Sequence, residues 1–137
     1  MDVSIGPSEN MDKLRILLVE NDPDVLEVTT SLLEYLGYLV TPATGSNEAI
    51  TKITEDPDAF DAVITDYSLE IINGIELAAM IKEVSEDVPT ILYSGKIDLI
   101  DKIQMAEACI AGIIKKPCEV KKMDSIIKEI INEKVRV

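Results

Sequence analysis

From Leu14 onward, short apolar runs take turns with stretches whose apolar positions recur every three or four residues. Leu14–Val19 (LRILLV) is the first run, nearly continuous and of strand length. Asp22-Pro23 then marks a helix start, with an acidic N-cap and a proline at the first helical position. Val25, Leu26, Leu32, Leu33 and Leu36 fall on one face of that helix, and Gly37 closes it. Tyr38–Pro42 reads as a second, short strand. Ser46 reads as the cap of a modest helix through about Thr54, with Ala49, Ile50 and Ile53 apolar. Asp61–Thr65 (DAVIT) is a third strand running into Asp66. Gly74–Val84 is helical, with Ile75, Ala78, Ile81 and Val84 on one side. Val88–Tyr93 (VPTILY) is a fourth strand, its Pro89 acceptable only at the strand start. Ile97–Ala108 has Ile100, Ile103 and Ala106 on one helical side, and Ile110–Lys115 is a fifth strand. A last helix runs from Glu119 to about Glu133, with Met123, Ile126, Ile127, Ile130 and Ile131 inward.

Five strands thus alternate with five helices. Strands that read as apolar runs rather than as alternating patterns belong to a parallel sheet covered on both faces. The expected class is doubly wound α/β. Residues 1–12 are polar, contain Gly6-Pro7-Ser8 and show no apolar period, so a flexible tail is expected there. Residues 13–134 form one domain, and 135–137 are a C-terminal end.

Composition sharpens this. At 137 residues, 47% apolar and 28% charged, the chain is long enough for one full core without staples. No apolar run approaches the roughly 18 residues of a membrane span, and the first residues lack the basic and apolar regions of a signal peptide. A cytoplasmic location without membrane contact is expected. Histidine is absent, which excludes imidazole-based triads and His metal sites within the chain. The net charge of −13 argues against nucleic-acid binding by this domain. Cys109 and Cys118 match no zinc or redox spacing and read as buried or loop thiols in a reducing compartment. No glycine-rich nucleotide-binding fingerprint occurs.

In doubly wound sheets ligands bind beyond the carboxyl ends of the strands. The residues there are Glu20-Asn21-Asp22, Asp66, Ser94-Gly95 and Lys116-Pro117, the second strand offering only Thr41-Pro42-Ala43. If the first and third strands are neighbours, Glu20, Asn21, Asp22 and Asp66 converge on one edge. Carboxylates that close raise one another's pKa unless a cation lies between them. Oxygen ligands on a shallow edge favour Mg²⁺. A carboxylate nucleophile, a divalent cation, a hydroxyl and a lysine together suit phosphoryl transfer. Each residue alone has a plainer explanation: Asp22 as a helix cap, Ser94 as a turn residue, Lys116 as a solvated charge.

The segments LLVENDPDV, DAVITDYSLEIINGIEL, VPTILYSGK and GIIKKP, at the expected strand ends, make residues 13–134 resemble the receiver domain of two-component response regulators. The resemblance implies a (βα)5 fold with a five-stranded parallel sheet in the order 2-1-3-4-5, flavodoxin-like and CheY-like. It implies that Asp66 is the phosphoacceptor for a partner histidine kinase or phosphotransfer protein. Glu20, Asn21, Asp66 and the carbonyl of Ser68 would be the Mg²⁺ ligands, with Asp22 as an accessory acid. Ser94 would be the switch hydroxyl and Lys116 the phosphoryl-contacting lysine. The Lys116–Pro117 bond would be cis, and Ser68 and Lys96 would tune phosphoryl lifetime. Such a domain is a signalling switch rather than an enzyme, limited to self-phosphorylation from a phosphodonor and slow autodephosphorylation. Phosphorylation would reshape a face made by the fourth helix, the fifth strand and the last helix, where Lys115, Lys121 and Lys122 add basic character. That face would be read by a downstream protein or by an output domain outside this stretch.

The departures from the family pattern carry information. Glu20-Asn21 replaces a pair that is usually two aspartates, so Mg²⁺ binding should be weak, an amide oxygen being a neutral ligand. Glu70 stands where the family often has proline. Ile113 stands where an aromatic commonly moves with the switch hydroxyl. Two other readings compete: a phosphorylation-independent receiver kept as a docking module, favoured by Asn21, and a haloacid-dehalogenase-type phosphatase. The latter is disfavoured because the second residue after Asp66 is Ser68, where that class carries an acid.

Overall fold

The computed structural model describes residues 13–95 and 102–136. Its strands are β1 (Arg15–Val19), β2 (Leu39–Ala43), β3 (Ala62–Thr65), β4 (Thr90–Ser94) and β5 (Ile110–Lys115). Its helices are α1 (Pro23–Tyr35), α2 (Ser46–Glu55), α3 (Gly74–Val84), α4 (Lys102–Glu107) and α5 (Val120–Arg136). The strands pair in parallel in the order β2-β1-β3-β4-β5. The winding direction reverses at β1, which lies between β2 and β3.

Because successive strand side chains point to opposite faces, Ile16 and Leu18 of β1 enter one core and Leu17 and Val19 another. Both faces are covered, which is why the strands are apolar throughout. Leu26 and Leu33 of α1, with Met123, Ile127, Ile130 and Ile131 of α5, close the first face over Ile16, Leu18, Ile64, Ile91 and Ile114. Ala49 and Ile53 of α2, with Leu77 and Ile81 of α3, close the second over Leu17, Val19 and Val63. A third cluster, Ile75, Ala78, Leu92 and Ala108, joins α3 to β4 and the end of α4. Each large side chain buried this way contributes about 1.5–3 kcal/mol. One polar link ties the first half of the chain to the last helix. The buried Tyr38 hydroxyl donates to Asp124 Oδ1 at 2.6 Å, and Lys128 Nζ donates to Asp124 Oδ2 at 3.1 Å. Burial, reinforced by Asp124, pushes the Tyr38 phenol well above its ordinary value.

The helix starts follow local chemistry. Asp22 caps α1 by accepting from the N–H groups of Asp24 and Val25, with Pro23 next in line. The chain leaves α1 through Gly37 at φ +102, a conformation that disfavours residues with a Cβ. Asn73 and Glu76 form a reciprocal capping box at the start of α3.

Three expectations need correction. Ser46 does not cap α2: it is the first helical residue and is buried, and Gly45 holds the cap position without a side-chain bond. Glu48 instead reaches back to accept from the Thr44 N–H and hydroxyl. Val84 is partly exposed, and Leu77 occupies the buried face of α3 with Ile75, Ala78 and Ile81. On α4, Ile103 and Ala106 face outward, while Met105 and the following Ala108 pack inward. Two stripes of i, i+3 spacing compete there, and packing against Ile75 and Ala78 selects the second. The expected tail at 1–12 and the first part of the Ile97–Ala108 helix, Ile97 to Asp101 with Ile100, lie outside the described residues.

Candidate functional site

Register brings the strand ends level. Val19 of β1 pairs with Thr65 of β3, so the residues that follow, Glu20 and Asp66, emerge side by side. The ladder also continues past the strands. The Asp66 N–H donates to the Val19 carbonyl at 3.1 Å, the Glu20 N–H to Ala43 at 3.0 Å, and the Lys116 N–H to Ser94 at 3.0 Å. The backbone of the site is thus an extension of the sheet, not a free loop. Ser94 ends β4 opposite Lys115 of β5 and is 1% exposed.

Glu20, Asn21, Asp22, Asp66, Ser68, Ser94 and Lys116 line one open cleft of about 580 Å³ at this edge, with Val25 and Gly95. Lys116 Nζ donates to Asp66 Oδ2 at 3.2 Å and to Glu20 Oε1 at 3.3 Å. Asp66 Oδ1 accepts from the Ser68 N–H at 3.2 Å. Glu20 Oε2 accepts from the Asp22 N–H at 3.1 Å. The amide of Asn21, oriented by its neighbours, donates to the Ser68 carbonyl and to Glu20 Oε2, each at 3.2 Å. Asp22 lines the cleft while capping α1. The Lys116–Pro117 bond is cis. Pro117 lies beside the cleft, in a groove it shares with Val25, Val28 and Tyr93. Lys96 lies outside the described residues.

Charge at the site follows from crowding. Burial pushes Glu20 above its ordinary value, and repulsion from Asp66 adds to this, against the pull of the Asp22 N–H and of Lys116. Burial works against the Lys116 ammonium, but Asp66 and Glu20 outweigh it and hold the lysine above its ordinary value. One ammonium therefore serves two carboxylates and stays protonated.

The donors suit a small, hard cation. Two carboxylates and a main-chain carbonyl are what Mg²⁺ takes while keeping several waters. Among the described residues no three acidic or thiol side chains gather as a metal-binding group. The acceptors Glu20 Oε2 and Ser68 O converge on one partially positive group, the Asn21 amide. The chemistry of these donors fits a divalent ion, which would compete with that amide for them.

Two further residues build the site, of which the first is invisible in the sequence pattern and the second is marked by its eight-residue step from Asp66. Tyr93, the residue before Ser94, places its ring under Lys116, with Nζ 4.6 Å from the ring centroid. A partly buried tyrosine in a strand looks like core, so no sequence signal distinguishes it. Gly74 opens α3 against the back of the site, donating its N–H to the Tyr67 carbonyl at 2.8 Å. A Cβ there would collide with the Asp66 carbonyl oxygen. Ile113 is half-buried beside the α3–α4 cluster, and Glu70 is exposed.

A partly buried carboxylate opening on a cleft, fixed by the sheet and faced by one lysine and one buried hydroxyl, can attack an electrophile and neutralise the anion that results. A family model described as "Response regulator receiver domain" matches residues 16–128. Response regulator SaeR of Staphylococcus aureus is 28% identical over 102 residues, covering 74% of this chain and 43% of SaeR. The chain therefore matches less than half the length of that relative. Two solved structures are each 26% identical to it. A response regulator receiver domain protein from Clostridium thermocellum has a TM-score of 0.82, covering 89% of this chain and 97% of the other. A CheY-like receiver domain protein from Methanospirillum hungatei has a TM-score of 0.83, covering 91% and 98%.

Proposed function

Because the chain belongs to the response regulator receiver domain family of two-component systems, we propose that it accepts a phosphoryl group on Asp66 from a partner histidine kinase or phosphotransfer protein. Membership in a family of signalling domains removes the dehalogenase-type alternative. The observation that carries the reading is the single ammonium of Lys116 shared by Asp66 Oδ2 and Glu20 Oε1 at the switch point of the sheet.

Asp66, held by the Ser68 N–H on one oxygen and Lys116 on the other, is oriented before any donor arrives. Its carboxylate oxygen attacks the phosphorus of the donor. The O–P bond forms as the bond to the donor's leaving group breaks, giving an aspartyl phosphate. Lys116 offsets the charge on the transferring oxygens, and the Ser94 hydroxyl, buried in the wall of the same cleft, hydrogen-bonds one of them. Bound Mg²⁺, held by Glu20, Asp66 and the Ser68 carbonyl with Asn21 beside it, would supply further neutralisation of those oxygens. Asp22 adds charge nearby. Ser68, and Lys96 by its sequence position, set how long the phosphoryl group lasts. Water later releases phosphate, so the chain acts as a switch and not as a turnover enzyme. The readout face is α4, β5 and α5, and a downstream protein or output domain reads it. The reading includes a cytoplasmic location, residues 13–134 as the folded unit and 1–12 as a tail.

Acetyl phosphate with and without Mg²⁺, followed by intact-protein mass, tests this: one phosphoryl group adds about 80 Da. Labelling of the wild type and none of Asp66→Asn is the expected result. The Asn21 amide between Glu20 and Ser68 favours a second reading, a receiver that docks partners without phosphorylation. A folded wild type that takes no label at saturating Mg²⁺ would select it.

A further inference from the structure

We propose that Tyr93 is a positioning residue, whose ring face holds the Lys116 ammonium in place above the acceptor carboxylate. The inference rests on the phosphoryl-transfer reading of the site. Lys116 Nζ stands 4.6 Å from the ring centroid, well inside the reach of a cation–π contact. Its two carboxylate contacts, at 3.2 and 3.3 Å, are longer than the 2.7–2.9 Å or so of a strong charge-assisted bond. Neither Glu20 nor Asp66 therefore captures the ammonium outright, and a third support decides where it rests.

The ring is well placed to be that support. Tyr93 pairs in register with Ile114, two residues before Lys116, so ring and lysine are fixed by the same strand pair. The Tyr93 side chain packs against the core beneath α1 and α5. It also floors a largely apolar groove lined by Val25, Val28 and Pro117, which Lys116 borders as well. A lysine has four rotatable bonds and two sides to choose between here: the acidic cleft and the groove. The electron-rich face of the ring lies at the boundary between them and stabilises the ammonium there. The position matters more in this chain because Asn21 supplies no carboxylate to draw the ammonium further into the cleft, and the Asp22 carboxylate is engaged in capping α1. A half-buried cation–π pair is also stronger than an exposed one, water competing less for the ammonium.

Two measurements on Tyr93→Met and Tyr93→Phe separate this from simple space-filling. Methionine keeps bulk without a ring, whereas phenylalanine keeps the ring and loses only the hydroxyl. The first measurement is the order of the Lys116 side-chain end, by NMR relaxation of its terminal methylene and ammonium groups. The second is the initial rate of labelling by acetyl phosphate. Tyr93→Met is expected to free the ammonium and slow labelling about 5- to 30-fold, the range a partly desolvated cation–π contact spans. Tyr93→Phe is expected to keep both properties within about twofold of wild type. If Tyr93→Met does not fold, Tyr93→Leu takes its place with the same expectation. A ring-less variant with wild-type order or a wild-type rate overturns the role of Tyr93. A wild type that takes no label overturns the phosphoryl-transfer reading instead, and Lys116 order alone then decides Tyr93.

Discussion

Asn21 donates to two acceptors, Glu20 Oε2 and the Ser68 carbonyl, and so does without an ion part of what an ion would do. Replacing it with a carboxylate reverses this. Asn21→Asp leaves both acceptors without that donor and sets a further negative charge beside Glu20 and Asp66. Without divalent ions the variant should lose about 1–3 kcal/mol of stability. Millimolar Mg²⁺ should restore it, while the wild type responds less. Urea unfolding with and without MgCl₂ reads both, and an equal response from the two proteins would contradict it. Glu20 adds a pH signature. Its folded pKa lies above the ordinary 4.5, so the fold binds that proton more tightly than the unfolded chain does. The stability it contributes is full below about pH 4.5 and is lost as pH rises through the folded value. The stability of wild type relative to Glu20→Gln should therefore decline over that window. A flat difference would show Glu20 titrating normally. Glu20, Asn21, Asp66, Ser94 and Lys116 were legible in sequence because strand ends in a doubly wound sheet mark the site. Tyr93 was not, since a strand aromatic has the same hydrophobic signature whether it packs or supports a charge.

At the scale of elements, α3 is set against the site by a close approach. Gly74 begins the helix where a Cβ would strike the Asp66 carbonyl oxygen and press on Leu92 and the Tyr67 Cα at 3.0 Å. The Asn73–Glu76 capping box fixes the helix start, so the strain cannot be relieved by sliding it. Gly74→Ala should cost about 1–3 kcal/mol by overpacking. It should also shift the amide resonances of Tyr67 and Ser68, read by thermal melting and NMR. Unchanged amides in a destabilised variant would place the strain elsewhere. The bounds of α3 were legible because one periodic stretch has a sharp start. The inward face of α4 was not: Ile103 is the more apolar choice, yet it is 69% exposed, since the partner surface offered by Ile75 and Ala78 decides. Ser46 misled for a similar reason, as Glu48 supplied the local bond from within the helix.

For the whole molecule, charge is unevenly spread. Residues 1–68 carry 3 basic and 14 acidic side chains, and residues 69–137 carry 10 and 12. Among the described residues the ion pairs join Lys116 to Glu20 and Asp66, and Lys128 to Asp124. Those few attractions are outnumbered by the repulsion of a −13 chain. Raising ionic strength from about 0.01 M to 0.15 M shortens the Debye length from about 30 to 8 Å. The melting temperature should rise with that screening, by about 2–4 °C for each kcal/mol of repulsion relieved. A fall would mean that the paired charges dominate. No helix among the described residues is long and apolar enough to cross a membrane.

The cover of one sheet face by α1 and α5 also has a consequence in time. Ile16 and Leu18 are among the first core residues a ribosome would release, but Met123, Ile127 and Ile131, which close over them, are among the last. At about 5–20 residues per second, that face would stay open for roughly 5–20 s of synthesis. The other face, closed by α2 and α3, would be sealed well before. The nascent chain would thus emerge with one side finished and the other still in need of shelter.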